Sequence, residues 1–154
     1  MDIVTSRSWD AYELADAFRR FFKWIEKYYK KEQIKNFREW HTSESLEWKI
    51  DDPTRFFRVV RDDFGDIIAY FESRGNPEEK RQSVQWFLVD PKYRKNWILK
   101  SIWQDFEAWC RKNEYSSIWS VNSLENKVSE EVHRRLWMEK TQIWPYWQES
   151  EKNL

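Results

Sequence analysis

Hydrophobic positions recur along this chain first with the spacing of helices, then with that of strands, and then of strand and helix in alternation. After a short apolar start, Ile3 to Val4, the residues Leu14, Phe18, Phe21, Ile25 and Tyr28 stand four, three, four and three apart. That spacing predicts one buried face of an amphipathic helix from about Asp10 to Lys30. Asp10 and Glu13 have the spacing of a capping box at its start. A second helix is expected over Glu32 to His41, and a third from Ser43 toward Lys49, ended by Asp51, Asp52 and Pro53. The pattern then changes to strand, with Thr54 to Arg61, a turn at Asp62 to Gly65, and Ile67 to Glu72 reading as a β-hairpin. Polar residues from Ser73 to Arg81 lead to an apolar strand, Val84 to Val89, which Pro91 ends. In the next helix Ile98, Leu99, Ile102, Trp103, Phe106, Trp109 and Cys110 fill one wide face, opposite Lys100, Gln104, Glu107 and Arg111. Ser116 to Val121 reads as a strand, Glu125 to Leu136 as a helix, and Thr141 to Trp147 as a last extended segment broken by Pro145. This order implies an α/β protein, a mixed sheet flanked by helices.

Composition sharpens that picture. A chain of 154 residues has the length of one domain, and residues 1–154 are read as a single unit. Aromatic residues make up 19% of it, so the core is expected to be built largely from rings. Twelve Trp stand beside only two Gly, which leaves few places for the tight turns and close backbone approaches of ligand loops. The 27 basic residues are balanced by 27 acidic ones, so net charge names no partner. No apolar run has the length of a membrane span and the start lacks a signal-peptide pattern, so a cytoplasmic protein is expected. Cys110 is a lone cysteine on an apolar helix face, read as a buried structural thiol; with no second cysteine, no metal site is expected.

The segment Val84 to Lys100, VQWFLVDPKYRKNWILK, resembles the GNAT superfamily of N-acyltransferases. In that family a strand, a V-x-P-x-Y-R loop and a helix opening with R/Q-x-x-G-x-G/A follow one another. Val89, Pro91, Tyr93 and Arg94 match, whereas the two small positions hold Trp97 and Leu99. Further on, ENKVSEEVHRRLWMEK is similar to the second family signature, a helix ending in tyrosine, leucine, glycine and phenylalanine; here His133, Leu136, Trp137 and Met138 stand there. The resemblance covers Val84 to about Trp144, and the first half of the chain agrees in element order.

The resemblance implies a central, mostly antiparallel sheet whose central strands splay apart, with acetyl-CoA in the cleft. Acceptors would be amines on a small molecule or a protein. A helix N-terminus can hold a pyrophosphate through its free N–H groups and the helix dipole, provided that small residues allow close approach. Carried over, that loop is Arg94, Lys95, Asn96, Trp97, Ile98, Leu99 and Lys100, and the strand atoms beside the pantetheine belong to Leu88 and Val89. Trp97 could project outward without covering the amides. Asn122 and Asn126 stand where the family contacts the pantetheine and the far end of the cofactor, and both equally suit turn and cap roles. His133 occupies the position of the proton-donating tyrosine. It could donate when protonated, titrating near neutral pH, or be a histidine of the helix surface.

Other residues remain open. Glu72 and Gln85 could face the sheet centre. His41 reads as a helix-end residue without a metal partner. Trp24, Trp103 and Trp109 fall in apolar stripes and read as core, and an exposed subset of the remaining Trp could form a partner surface. Phe18 to Arg38 carries eight basic side chains against Glu26 and Glu32, a net +6, which makes nucleic acid an alternative partner and a solvated helix face the plainer reading. Two functions follow: an N-acyltransferase using acetyl-CoA, or a GNAT-like binding or regulatory module that has lost CoA chemistry. The replaced glycines favour the second, and the intact V-x-P-x-Y-R stretch the first.

Overall fold

The computed structural model describes residues 2–5, 10–94, 96–123, 125–136, 138–143 and 147–154. Its strands are β1 (Asp2–Thr5), β2 (Arg55–Arg61), β3 (Ile67–Asn76), β4 (Arg81–Val89), β5 (Ser117–Ser123), β6 (Glu139–Ile143) and β7 (Trp147–Asn153). The helices are α1 (Ala11–Phe22), α2 (Lys31–Glu39), α3 (Ser43–Ile50), α4 (Asn96–Lys112) and α5 (Lys127–Arg135). Together the strands form one seven-stranded sheet in the order β1-β2-β3-β4-β5-β7-β6. The pairings are antiparallel except between β4 and β5, which run parallel. No helix among the described residues is long and apolar enough to cross a membrane.

Both faces of the sheet are covered, and this is why apolar residues stand side by side in β2 (Phe56 and Phe57, Val59 and Val60) and run unbroken from Ile67 to Phe71 in β3 rather than alternating with polar ones. On one face α1 lays Leu14, Phe18, Phe21 and Phe22 against Phe57, Val59, Tyr70 and Leu88, with Leu46 of α3 beside them. On the other, Ile98, Ile102, Trp103, Phe106 and Cys110 of α4 meet Phe56, Val60, Phe71 and Ile118. Phe56 and Phe57, adjacent in β2, thus serve opposite cores. Arg58 follows the same alternation and meets Asp105 of α4 at 2.6 Å. Gly65, at φ 90, makes the β2–β3 turn. A Cβ on Gly75 would lie 2.2 Å from the Tyr115 hydroxyl, so the two glycines serve the hairpin and a close packing contact.

Several expectations change. The first helix stops at Phe22 rather than Lys30; a turn and a 3₁₀ segment, Glu26–Tyr28, follow. That break swings Tyr29 inward against Phe22, Phe37 and Trp86, so tertiary ring packing overrides the helical spacing. Asp10 has helical dihedrals, and with Glu13 it reaches Arg61 on β2, at 3.4 Å and 2.6 Å, instead of forming the capping box. Gln33 takes that part for α2, accepting from the Lys30 N–H at 2.9 Å. The last extended segment is two strands, β6 and β7, with Trp144 and Pro145 outside the described residues.

Trp103 and Cys110 are core as expected, and burial pushes the Cys110 thiol up to about 12, far from a nucleophile. Trp109 is half-buried against the same core. Trp24 is 58% exposed, because α1 ends before its ring can turn inward. His41 is buried rather than a simple helix end. Its ring stacks on Phe18 at 3.6 Å and its Nε2 lies 3.1 Å from Glu72, which also accepts from Tyr70 at 2.6 Å and Arg55 at 2.7 Å. Glu72 therefore faces the α1 side as the anchor of a buried polar network. Burial works against its charge, yet the hydrogen bonds from His41 and Tyr70 and the nearby Lys49 hold its carboxyl below the usual range.

Candidate active site

The cleft arises from one inserted residue. Along β3 and β4 the partners run Phe71 with Phe87 and Glu72 with Trp86, then jump to Ser73 with Val84, leaving Gln85 without a partner across the ladder. Gln85 is thus the extra residue of a β-bulge, which bends a strand and increases its twist. β4 stays with β5 only from Arg81 to Val84, whose partner is Ser120. Beyond the bulge the strands part, and a cleft of about 730 Å³ opens between them. The bulge also switches side-chain parity: Val84, Phe87 and Val89 pack with the α4 core, whereas Trp86 and Leu88 pack with the α1 core.

The main chain of β4 forms one wall of this cleft. The N–H of Asp90 donates to Ile68 of β3 at 2.9 Å. Antiparallel alternation from that bond turns Leu88 toward β3 and leaves the N–H and C=O groups of Phe87 and Val89 on the side of β5. Of the two strand residues expected beside the cofactor, Val89 presents its main chain to the cleft and Leu88 lines it with its side chain. Arg94 stands at the rim, its Nε 3.4 Å from the Val89 carbonyl.

The expected loop divides. Arg94 and Leu99 line the cleft, whereas Ile98 is buried in the α4 core, and Trp97, 37% exposed, and Lys100 point away from the cleft. Trp97 therefore projects outward, and Leu99 is the bulky side chain that enters the site. Asn96 opens α4, and Lys95 lies outside the described residues. The first four N–H groups of a helix lack partners within it, and α4 begins at Asn96, between the cleft-lining Arg94 and Leu99.

The wall across from β4 comes from β5 and α5. Asn122 is buried, donates from Nδ2 to the Ser123 carbonyl at 3.0 Å, and lines the cleft. Asn126 also lines it while capping α5, its Oδ1 accepting from the Ser129 N–H at 3.1 Å. His133 lines the cleft but is only 8% exposed, not a histidine of the helix surface. Burial pushes its pKa down to about 4, so it is neutral near pH 7 and does not titrate there. Its Nδ1 is buried without a hydrogen-bond partner among the described residues.

At the opposite end the cleft is bounded by Phe21, Trp24, Lys27, Tyr28, Tyr29 and Trp86. In the resembling family the region from Phe18 to Arg38 shapes the acceptor pocket, whereas from periodicity alone Trp24 and Tyr28 read as helix-stripe core. The run Phe21, Phe22, Trp24 was nevertheless a signal: aromatic residues are only moderate helix formers. The basic segment does not make one continuous cationic face. Arg19 and Arg20 pair with Asp16, Arg38 with Glu26 and Lys35 with Glu39.

Comparison with known proteins agrees with this architecture. Residues 11–136 match the family model described as Acetyltransferase (GNAT) family. The PaiA N-acetyltransferase of Thermoplasma acidophilum, solved with coenzyme A, superposes with a TM-score of 0.87 at 18% identity, covering 99% of this chain and 98% of that one. An aminoglycoside 6'-acetyltransferase type Ii gives 0.77 at 15% identity, covering 99% and 97%. The ribosomal-protein-S5-alanine acetyltransferase of Vibrio fischeri gives 0.76 at 15%, covering 98% and 91%. No curated protein sequence shows a significant match. Strand order, the splay at β4 and β5, and a family match spanning most of the length lead to one conclusion: the chain belongs to the GNAT family of acetyltransferases.

Proposed function

We propose that this protein transfers an acetyl group from acetyl-CoA to a primary amine, and that both meet in the cleft between β4 and β5. The observation that carries this reading is the open edge of β4. From the Gln85 bulge onward, Phe87 and Val89 have main-chain donors and acceptors turned to a cleft where β5 no longer answers them. A ligand with amide groups of its own, such as pantetheine, replaces the missing strand. The open N–H groups at the start of α4 and the Arg94 guanidinium suit the pyrophosphate. Leu99 narrows this end, while the open edge of β4 and the Arg94 side chain fit the cofactor.

Acetyl-CoA supplies the activated acyl group as a thioester. In the transfer the amine nitrogen bonds to the acyl carbon, the carbon–sulfur bond breaks, the amine loses a proton and the thiolate gains one. The chain's own part is to align the two partners and to place the Val89 N–H where it stabilises negative charge on the acyl oxygen. His133, neutral near pH 7, serves as a hydrogen-bonding group to the bound cofactor and not as a cationic acid.

A second reading, a binding or regulatory module without CoA chemistry, is favoured by Leu99 projecting into the cleft where the family keeps Gly or Ala. One experiment separates them. Acetyl-CoA at one hundred times its dissociation constant should stabilise the fold by about 2.7 kcal/mol, a rise in melting temperature of roughly 5–11 °C. Thiol release should then follow when an amine is added. Absence of any shift at millimolar acetyl-CoA would exclude the transferase.

A further inference from the structure

We infer that the acceptor is the α-amine of a peptide that begins with an aromatic residue and carries acidic side chains close behind it. The inference rests on the transferase reading above and concerns the end of the cleft opposite the start of α4. Three observations lead to it.

The first is the wall. Trp86 and Tyr29 are fixed in a ring cluster, with Phe37 5.0 Å from Trp86 and 5.1 Å from Tyr29 between centroids, so they form a rigid floor. Trp24, 58% exposed, and Tyr28 stand at the rim on the turn after α1. Flat apolar walls of this kind take up a ring by stacking and edge contacts. The second is charge. Lys27 lines the cleft, its Nζ 5.1 Å from the centre of the Tyr28 ring, and Lys23, Lys30 and Lys31 flank it along the chain. The acid of this turn, Glu26, is bound by Arg38 at 2.7 Å. A polyamine or an aminoglycoside would bring like charge to this rim, whereas carboxylates near the acceptor amine would be drawn to it.

The third is the absence of a suitable base. Among the described residues the cleft holds one carboxylate, Glu131, and hydrogen bonds from Arg134 and Arg135 hold it down to about 2. His133 is buried and at the other wall. The acceptor must therefore reach the cleft already neutral. An α-amine, of pKa about 7.7 to 8.0, keeps roughly a tenth of its population neutral at pH 7, whereas a lysine-like amine near 10.4 keeps less than about a thousandth. The free amine then attacks the thioester carbon, its extra proton leaves to water, and the departing thiolate takes up a proton from solvent.

The test uses the whole chain, acetyl-CoA and short peptides beginning Trp-Glu, Trp-Lys and Ala-Glu, with spermidine alongside, and follows thiol release and acetylated product by mass spectrometry. Calorimetric titration with acetyl-CoA is run on the same protein. The Trp-Glu peptide should give the highest kcat/KM. Exchange of its second residue for Lys should lower kcat/KM roughly fivefold, the scale of an exposed ion pair. Exchange of its first residue for Ala should also lower it roughly fivefold, the scale of a ring contact. In the Lys27→Glu protein the preference between Glu and Lys at the second position should reverse, a change that loss of stability alone does not produce. If acetyl-CoA binds but spermidine or the Ala-Glu peptide is preferred, or if no peptide is acetylated, this inference is overturned while cofactor binding stands. An unchanged Glu-to-Lys ratio in Lys27→Glu also overturns it. If acetyl-CoA does not bind, the transferase reading itself fails.

Discussion

At the scale of single residues, His133 and Leu99 show how the environment sets what a side chain does. His133 is neutral in the folded protein because burial pushes its pKa down to about 4, whereas in the unfolded chain it has the ordinary value near 6.5. Between those values the unfolded state binds the extra proton, so folding stability rises with pH from about 4 to 6.5 and is lost as pH falls through that window. The loss attributable to this residue is on the order of 3 kcal/mol. Chemical denaturation of wild type and His133→Gln at pH 4.5 and pH 7 should show a smaller pH dependence in the variant. Equal dependence in both would place the imidazole in contact with water. Leu99 presents a different case, since it lines the cleft while its neighbour Trp97 points away. Leu99→Ala should therefore strengthen acetyl-CoA binding in a calorimetric titration, and Trp97→Gly should add nothing beyond its helix-propensity cost of about 1 kcal/mol. Weaker binding by Leu99→Ala would mean that the side chain itself contacts the cofactor.

At the scale of elements, the cleft depends on Gln85. With this residue present, β4 turns Val84, Phe87 and Val89 to one core and Trp86 and Leu88 to the other, and leaves β5 after Val84. Deletion of Gln85 would restore a regular ladder, and one half of the strand would then offer its side chains to the wrong faces. The deletion variant should lose acetyl-CoA binding, and its unfolding midpoint in urea should fall well below that of Gln85→Ala, which keeps the bulge. Equal midpoints for the two variants would show that the bulge is a local accommodation without consequence for the sheet. The periodicity of β4 told only part of this story, because an apolar run of strand length looks the same with or without an inserted residue. The end of α1 was hidden for a related reason. Ile25 and Tyr28 continue the helical spacing, and only the rings of Phe37 and Trp86, distant in the chain, favour bringing Tyr29 inward.

At the scale of the whole molecule, two aromatic cores lie on opposite faces of one sheet and share β2 and β3. We propose that they melt as a single unit. Phe18→Ala on the α1 face and Trp103→Ala on the α4 face each remove a large buried ring and should cost about 3–5 kcal/mol. Scanning calorimetry should show one transition in either variant, displaced to lower temperature, with near- and far-ultraviolet circular dichroism coinciding. Two separable transitions would divide the molecule at the sheet.

Much of this architecture was present in the sequence itself. The order of strands and helices, the wide apolar face of α4, the β2–β3 hairpin and the V-x-P-x-Y-R loop are local patterns, written in spacings of a few residues, and they led to the family and to Val89, Arg94, Leu99, Asn122, Asn126 and His133 at the cleft. What only the tertiary structure decided involves partners far apart in the chain. Burial turned His133 from a titrating surface group into a neutral one, the pairing of β4 with β3 exposed Gln85 as a bulge, and the early end of α1 left Trp24 at the rim. Hydrophobic periodicity reports which face of an element avoids water; it does not report where an element stops or which groups surround a buried side chain, because those depend on non-local contacts that no short stretch contains.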